Sequence, residues 1–241
     1  MGSGIYSALS GAVAKMQQLE VTVNNLANIG DIGFKADRVS FESVFNENLQ
    51  NRIGGGINFT RTSGSYTDFS QGDMETTNRS LDLAIKGEGF FKVALEDGFL
   101  YTRQGNFKLD KQNNLVTSIN DLQVIGENGP VNFPHNNVLI NSDGIVTADG
   151  IEIGRLTVYE VPDNQNLLRK GNGFWELKPG MADKLSSGAS LLQGSLERSN
   201  VNPVLLTAEI IETKRAYAAF MNTMKIFSDI SEKAREIGRL G

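Results

Sequence analysis

Two apolar stripes, one at each end of the chain, repeat every 3.5 residues. Near the N-terminus the positions are Ile5, Leu9, Ala12, Met16, Leu19, Val23 and Leu26. Near the C-terminus they are Leu206, Ile210, Thr213, Tyr217, Phe220, Met224, Phe227, Ser231 and Ala234. Steps of four and three residues alternate without a break in both series. This period keeps one helix face turned toward a partner helix along its whole length. The chain must therefore pack its two ends together, against copies of itself, or both. The first stripe is flanked by Ser7, Ser10, Lys15, Gln17, Gln18, Glu20, Thr22 and Asn24. Flanks this polar make it narrower than the face of a helix that covers a globular core, so helix–helix assembly is the favoured reading.

Residues 4 to 27 read as one helix, roughly 36 Å long at the usual rise per residue. It breaks in the run from Asn24 to Gly33, where Asn and Gly tolerate the left-handed backbone that ends helices. The second helix opens with Asn202 as N-cap and Pro203 at its first position, where the missing N–H costs nothing. It runs to about Ile237 and closes at Gly238. The chain has 26 glycines, yet none lies between Ser199 and Arg235. Residues 29–80 read as an extended connector: Phe34, Phe41, Val44 and Phe45 suit a short helix or an extended arm, Gly54-Gly55-Gly56 interrupts regular structure, and Thr, Ser and Asn dominate after Asn58. From Leu81 the period becomes two, through Leu83, Ile85, Phe91, Val93 and Leu95, with Asp97-Gly98 as a hairpin turn. Further turn signals at Gly105, Asn113, Gly126, Asp143 and Asp149 imply an antiparallel β domain. The expected fold is α+β: terminal helices (1–28 and 201–241) forming a coiled-coil-like domain, a connector (29–80) and a central antiparallel β domain (81–200).

Chemistry finds little support. With 23 Lys and Arg against 28 Asp and Glu, the net charge of −5 argues against nucleic acid as a partner. There is no cysteine, and the one histidine, His135, sits in a Pro/Asn run that reads as solvated surface. Neither a cofactor nor a metal is expected. No run approaches 18 apolar residues, and the N-terminus lacks a basic start followed by an apolar run, so neither membrane insertion nor a cleaved signal is expected. Gly87-Glu88-Gly89 lacks the third glycine of a dinucleotide loop and leads into a strand, so a tight hairpin or bulge is the reading. Asp110 to Asn114 lacks the glycine and glutamate of a calcium loop and reads as a plain turn. Glu88, Asp97, Asp110, Asp121 and Glu127 are scattered, with no spacing that selects a catalytic pair.

Val23-Asn24-Asn25-Leu26-Ala27-Asn28, followed by Gly33-Phe34-Lys35, resembles the N-terminal signature of the flagellar rod and hook protein family. The intervening Gly30-Asp31-Ile32 departs from the usual Ser/Thr-rich turn. Three further matches follow in order: Ala84 to Phe91, Tyr101 to Phe107, and Gln193 to Asn202, the last leading into a helix carrying Lys214-Arg215-Ala216-Tyr217. The resemblance covers essentially the whole chain. It implies a structural subunit of the flagellar basal-body rod, with the terminal helices toward the inner tube and the β domain outside. The implied partners are copies of itself, other rod proteins and the flagellar type III export apparatus, with no small-molecule substrate. Val124 to Val131 and Ser199 to Val204 resemble the proximal-rod branch more than the distal-rod or hook branches. Two rival classes are a β-fold enzyme, which would show a pocket with clustered carboxylates, and an adhesin-like module, which would show an exposed aromatic patch.

Overall fold

With no internal proline, and with Ala, Lys, Met, Gln, Leu and Glu filling its middle from Ala14 to Glu20, helix α1 spans Gly2–Ala27, within two residues of the expected span. The computed structural model describes residues 2–45, 58–133 and 138–238; His135 and the Gly54-Gly55-Gly56 run lie outside the described residues. Helix α2 spans Pro203–Ile237. The Asn202 side chain accepts the amides of Val204 and Leu205 at 3.0 and 3.2 Å, a cap that contributes about 1 kcal/mol. The helices run antiparallel against each other: Gly4 of α1 faces Phe227 of α2, and Gly11 faces Phe220.

The stretch read as a connector is largely an antiparallel hairpin. Asp37–Phe45 pairs with Asn58–Thr67, from Asp37↔Thr67 to Phe45↔Asn58, with a register shift between Ser40 and Phe41. Both strands lie against α1, and Lys15 of α1 sits 5.9 Å from the ring centroid of Phe41. This pairing is hidden in the sequence because the second strand, rich in Thr and Ser, lacks the apolar alternation that marks a half-buried strand. The hairpin, α1 and α2 form one compact unit.

The second unit comprises residues 28–36 and 69–201. Its largest sheet has six antiparallel strands in the order Gly129–Pro130, Val124–Gly126, Phe91–Leu95, Gly98–Thr102, Phe174–Leu177, Leu167–Gly171. The hairpin closed by Asp97-Gly98 is at its centre. A three-stranded sheet (Val138–Ile140, Ile145–Ala148, Ile151–Arg155) and shorter pairs complete the unit. The main core gathers Leu83, Ile85, Phe91, Val93, Phe107, Leu115, Val124, Phe133 and Val146. A second cluster surrounds Trp175 with Phe90, Tyr101, Val161 and Leu167. Gly87-Glu88-Gly89 is not a hairpin. Leu83–Lys86 pairs with Ser190–Gln193, while Phe91–Leu95 belongs to the six-stranded sheet, so the glycines carry the chain from one sheet to another. Gly89, at φ +122°, leaves room for Val158, whose side chain lies 2.5 Å from where a Cβ would stand.

Candidate functional site

Helix α1 carries two adjacent heptad stripes, and they do different things. One stripe is Gly4, Ala8, Gly11, Lys15, Gln18, Thr22 and Asn25, all buried or half-buried; its Gly4, Gly11 and Gln18 meet α2, while Lys15 and Asn25 meet the Asp37–Thr67 hairpin. This stripe is small and polar, and lies one position before the apolar stripe read from the sequence. Its spacing is set by α2: the rings of Phe220 and Phe227 sit against Gly11 and Gly4, with ring atoms 2.6 and 2.9 Å from where a Cβ would stand. Gln18 Nε2 donates to Glu209 Oε1 at 2.9 Å. A ring needs a hole, and glycine supplies one at seven-residue intervals. The visible signal is the matched pair of spacings, Gly4 to Gly11 and Phe220 to Phe227.

The residues expected at the seam divide accordingly. On α2, Leu206 and Thr213 are buried, and Ile210, Tyr217, Phe220, Met224 and Phe227 are half-buried. On α1, Ala12 is buried and Ile5, Leu19 and Leu26 are half-buried. Leu9, Met16 and Val23 remain 45%, 49% and 49% exposed, and beside them lie Tyr6 and Val13, 61% and 48% exposed. Tyr6, Leu9, Val13, Met16 and Val23 thus form an uncovered apolar strip along α1. On α2, Val204, Leu205, Ile211, Ile226 and Ile230 are exposed as well.

The motif residues have structural duties. Asn25, buried, clamps the start of the hairpin: its Nδ2 donates to the Asp37 carbonyl at 2.8 Å, and its Oδ1 accepts the Asp37 amide at 2.9 Å. The sequence reading gives the Asn run to helix termination; the structure gives Asn25 to this clamp. Asn24, Leu26, Ala27 and Asn28 complete the end of α1 and the turn beyond it. Gly33, at φ +66°, comes so close to the Arg103 backbone that a Cβ would lie 2.6 Å from its carbonyl. Phe34 is buried beneath the Arg169 guanidinium, 5.0 Å from its ring centroid.

Lys35 belongs to a buried ion cluster that sequence spacing does not reveal. Its Nζ lies 2.6 Å from Glu197 Oε1, both side chains fully buried, and donates to the Ser70 carbonyl at 2.7 Å. Arg103 Nη1 lies 3.2 Å from Glu197 Oε2, and its Nη2 donates to the Gly87 carbonyl at 2.9 Å. The Gly72 amide adds a bond to Glu197 Oε1 at 2.9 Å. Burial lowers the Arg103 pKa from its ordinary value and Glu197 pulls it back up; an arginine starts so high that it stays charged. Three of the motif segments, around Lys35, Arg103 and Glu197, therefore meet at one carboxylate.

The carboxylates singled out in the sequence are not gathered with this cluster. Glu88, Asp97, Asp121 and Glu127 are exposed, and among the described residues no group of three or more His, Cys, Asp or Glu could hold a metal ion. Asp110 organises its own turn, accepting from the amides of Gln112 and Asn114, each at 2.8 Å. The Asn114 side chain, donating to Asp110 Oδ2 at 2.8 Å, is the main reason its carboxyl lies below the usual range. A depression of about 260 Å³ is lined by Glu127, Asp143, Arg155, Thr157 and Ser186 among others. No described helix is long and apolar enough to cross a membrane.

Known proteins align with this chain along its whole length. Residues 84–148 match the family described as flagellar hook protein FlgE/F/G D1 domain. Residues 192–237 match the flagellar basal body rod FlgEFG protein C-terminal family. The flagellar basal-body rod protein FlgF of Caulobacter vibrioides is 30% identical over 100% of this chain and 99% of its own length. FlgG of Bacillus subtilis is 32% identical over 98% of each chain, and FlgG of Borreliella burgdorferi 31% over 90% of this chain and 91% of its own. Together with the helix-flanked β architecture, these matches establish that the chain belongs to the flagellar basal-body rod protein family.

Proposed function

We infer that this chain is a non-enzymatic structural subunit of the flagellar basal-body rod. It polymerises with copies of itself and with other rod proteins through its terminal helices. The observation that carries this reading is the division of labour on α1. One heptad stripe is already filled by Phe220 and Phe227, and the neighbouring strip of Tyr6, Leu9, Val13, Met16 and Val23 is left open to solvent. An apolar strip beside a filled seam, interrupted by Glu20 alone, is costly in an isolated subunit and stabilising in an assembly. We further propose that α1 and α2 pair as a coiled coil and that the Asp37–Thr67 hairpin belongs to the same terminal-helix domain. Strip-to-helix contacts between subunits are heterologous, and heterologous contacts that do not close into a ring grow helically. Passage through the flagellar type III apparatus without a cleaved signal, and a place in the proximal part of the rod, complete the proposal. The proximal placement rests on the resemblance of Val124 to Val131 and Ser199 to Val204 to that branch of the family.

The test is the double substitution Leu9→Asp with Met16→Asp. Both side chains are about half exposed, so the purified subunit should keep wild-type helix content. Carboxylates in a contact that excludes water should block assembly, leaving cells without motility and basal bodies without a completed rod in electron micrographs. Normal swimming by that strain rules the strip out as the assembly surface. Immunogold labelling of isolated basal bodies locates the subunit along the rod.

A further inference from the structure

Two strands close to the C-terminal end of the β unit complete structure laid down near its start. Ser190–Gln193 pairs with Leu83–Lys86, and Ser195–Glu197 with Met74–Thr76. Leu83, Ala84 and Ile85 are at most 1% exposed, and their strand shares its two-stranded sheet with Ser190–Gln193. Bonds around these strands extend the same pattern. The Gly33 amide donates to the Glu197 carbonyl and the Arg198 amide to the Asp73 carbonyl, both at 2.8 Å. Gln193 Nε2 donates to the carbonyls of Ser80 and Val138 at 2.8 and 2.7 Å, and Gln193 Oε1 accepts the Ile140 amide at 3.0 Å. Asn200 Oδ1 accepts the Ala36 amide at 2.9 Å. At the centre, the buried Glu197 carboxylate joins Lys35 to Arg103.

We propose that residues 190–200 are the closing segment of the β unit, and that the strands preceding them stay unassembled until this segment docks. Two physical costs impose the delay. Burying Leu83–Lys86 without its partner strand strands backbone donors and acceptors away from water. Bringing Lys35 and Arg103 into one dry pocket without Glu197 sets two cations together, with the attraction of their shared carboxylate missing. Both costs vanish in a single event, and that event requires contacts spanning more than a hundred residues, which makes closure slow and cooperative. A chain that emerges N-terminus first therefore stays open through almost the entire β unit and closes just before α2 follows. The inference concerns the single chain and does not depend on the assembly surface.

The test uses the full-length protein refolding from denaturant in dilute solution. Trp175, the single tryptophan, is fully buried in the second core cluster and reports closure by its fluorescence. Pulsed amide exchange read by mass spectrometry reports each strand separately. The expected result is one kinetic phase in which Trp175 reaches native emission while peptides covering 91–102 and 190–197 gain protection together. In Glu197→Gln that phase should be slower by about tenfold or more, with the unfolding rate changed far less. If Glu197→Gln does not fold, wild-type labelling decides alone. Protection of 91–102 with native Trp175 emission while 190–197 still exchanges freely overturns the proposal. So does a Glu197→Gln variant that refolds at the wild-type rate.

Discussion

Gly11 shows how a single missing Cβ decides which face of a helix meets its partner. Glycine inside a helix costs about 1 kcal/mol relative to alanine, so Gly11→Ala should stabilise an isolated helix by that amount. Here the new Cβ would lie 2.6 Å from the Phe220 ring, and overpacking of this kind costs about 1–3 kcal/mol. The second effect should win. Gly11→Ala should lower the denaturant midpoint of the helix signal, and Phe220→Leu in the Gly11→Ala background should restore part of it, a coupling that a double-mutant cycle measures. Gly33 makes the same point in backbone terms. At φ +66° and 2.6 Å from the Arg103 carbonyl carbon and oxygen, alanine there would add left-handed strain of about 1–2 kcal/mol and a clash with backbone that cannot swing away. Gly33→Ala should therefore destabilise the β unit by more than about 2 kcal/mol, read from Trp175 fluorescence in denaturant. Motif membership marked Gly33, Phe34, Lys35 and Asn25 as important. It could not say that Lys35 meets a glutamate 162 positions away, because spacing carries no information about contacts that loops bring together.

At the scale of elements, local chemistry was readable and partner choice was not. The ends of both helices follow from caps, the position of Pro203 and the distribution of glycine, all properties of a few neighbouring residues. On α2, two of the Phe rings that mark its stripe in sequence, Phe220 and Phe227, sit against Gly11 and Gly4. On α1 apolarity points to the wrong stripe for the intramolecular contact, because two large rings select small residues over large ones. The hairpin escapes notice for a related reason: its partner surface is α1, and its second strand shows no apolar alternation of its own. The two faces of α1 lead to opposite mutational outcomes. Met16→Asp, on the uncovered strip, should leave the thermal midpoint of the purified subunit within the range of ordinary surface changes, about 0.5 kcal/mol, while blocking polymerisation in a sedimentation assay. Phe220→Asp, against Gly11, should place a carboxylate in the filled seam and cost several kcal/mol of helix pairing, seen as lost helix signal in dilute monomer. If both variants keep wild-type helix content, the seam is not what holds α1 to α2.

Across the molecule, apolar burial is distributed unevenly between the two units, and this sets the order in which they come apart. The β unit encloses two core clusters containing Phe90, Phe91, Phe107, Phe133 and Trp175, each at most 1% exposed, and the buried ion cluster. In α2, Leu206 and Thr213 are the buried positions among the described residues, and over most of its length the helix has a half-buried stripe at best. Helices in water draw most of their stability from packing of an apolar face, so a subunit without neighbours holds its helices weakly and its β unit firmly. Heating dilute protein should give two transitions: helix ellipticity falls first, and Trp175 fluorescence changes at a higher temperature. Raising the concentration into the polymerising range should move the first transition upward, because neighbours that bind only the folded helices stabilise them by mass action, and should leave the second nearly fixed. Leu9→Asp with Met16→Asp should abolish that concentration dependence without altering the dilute melt. A single transition seen identically by both probes at every concentration would show instead that the subunit folds as one cooperative body and that assembly adds nothing to its helices.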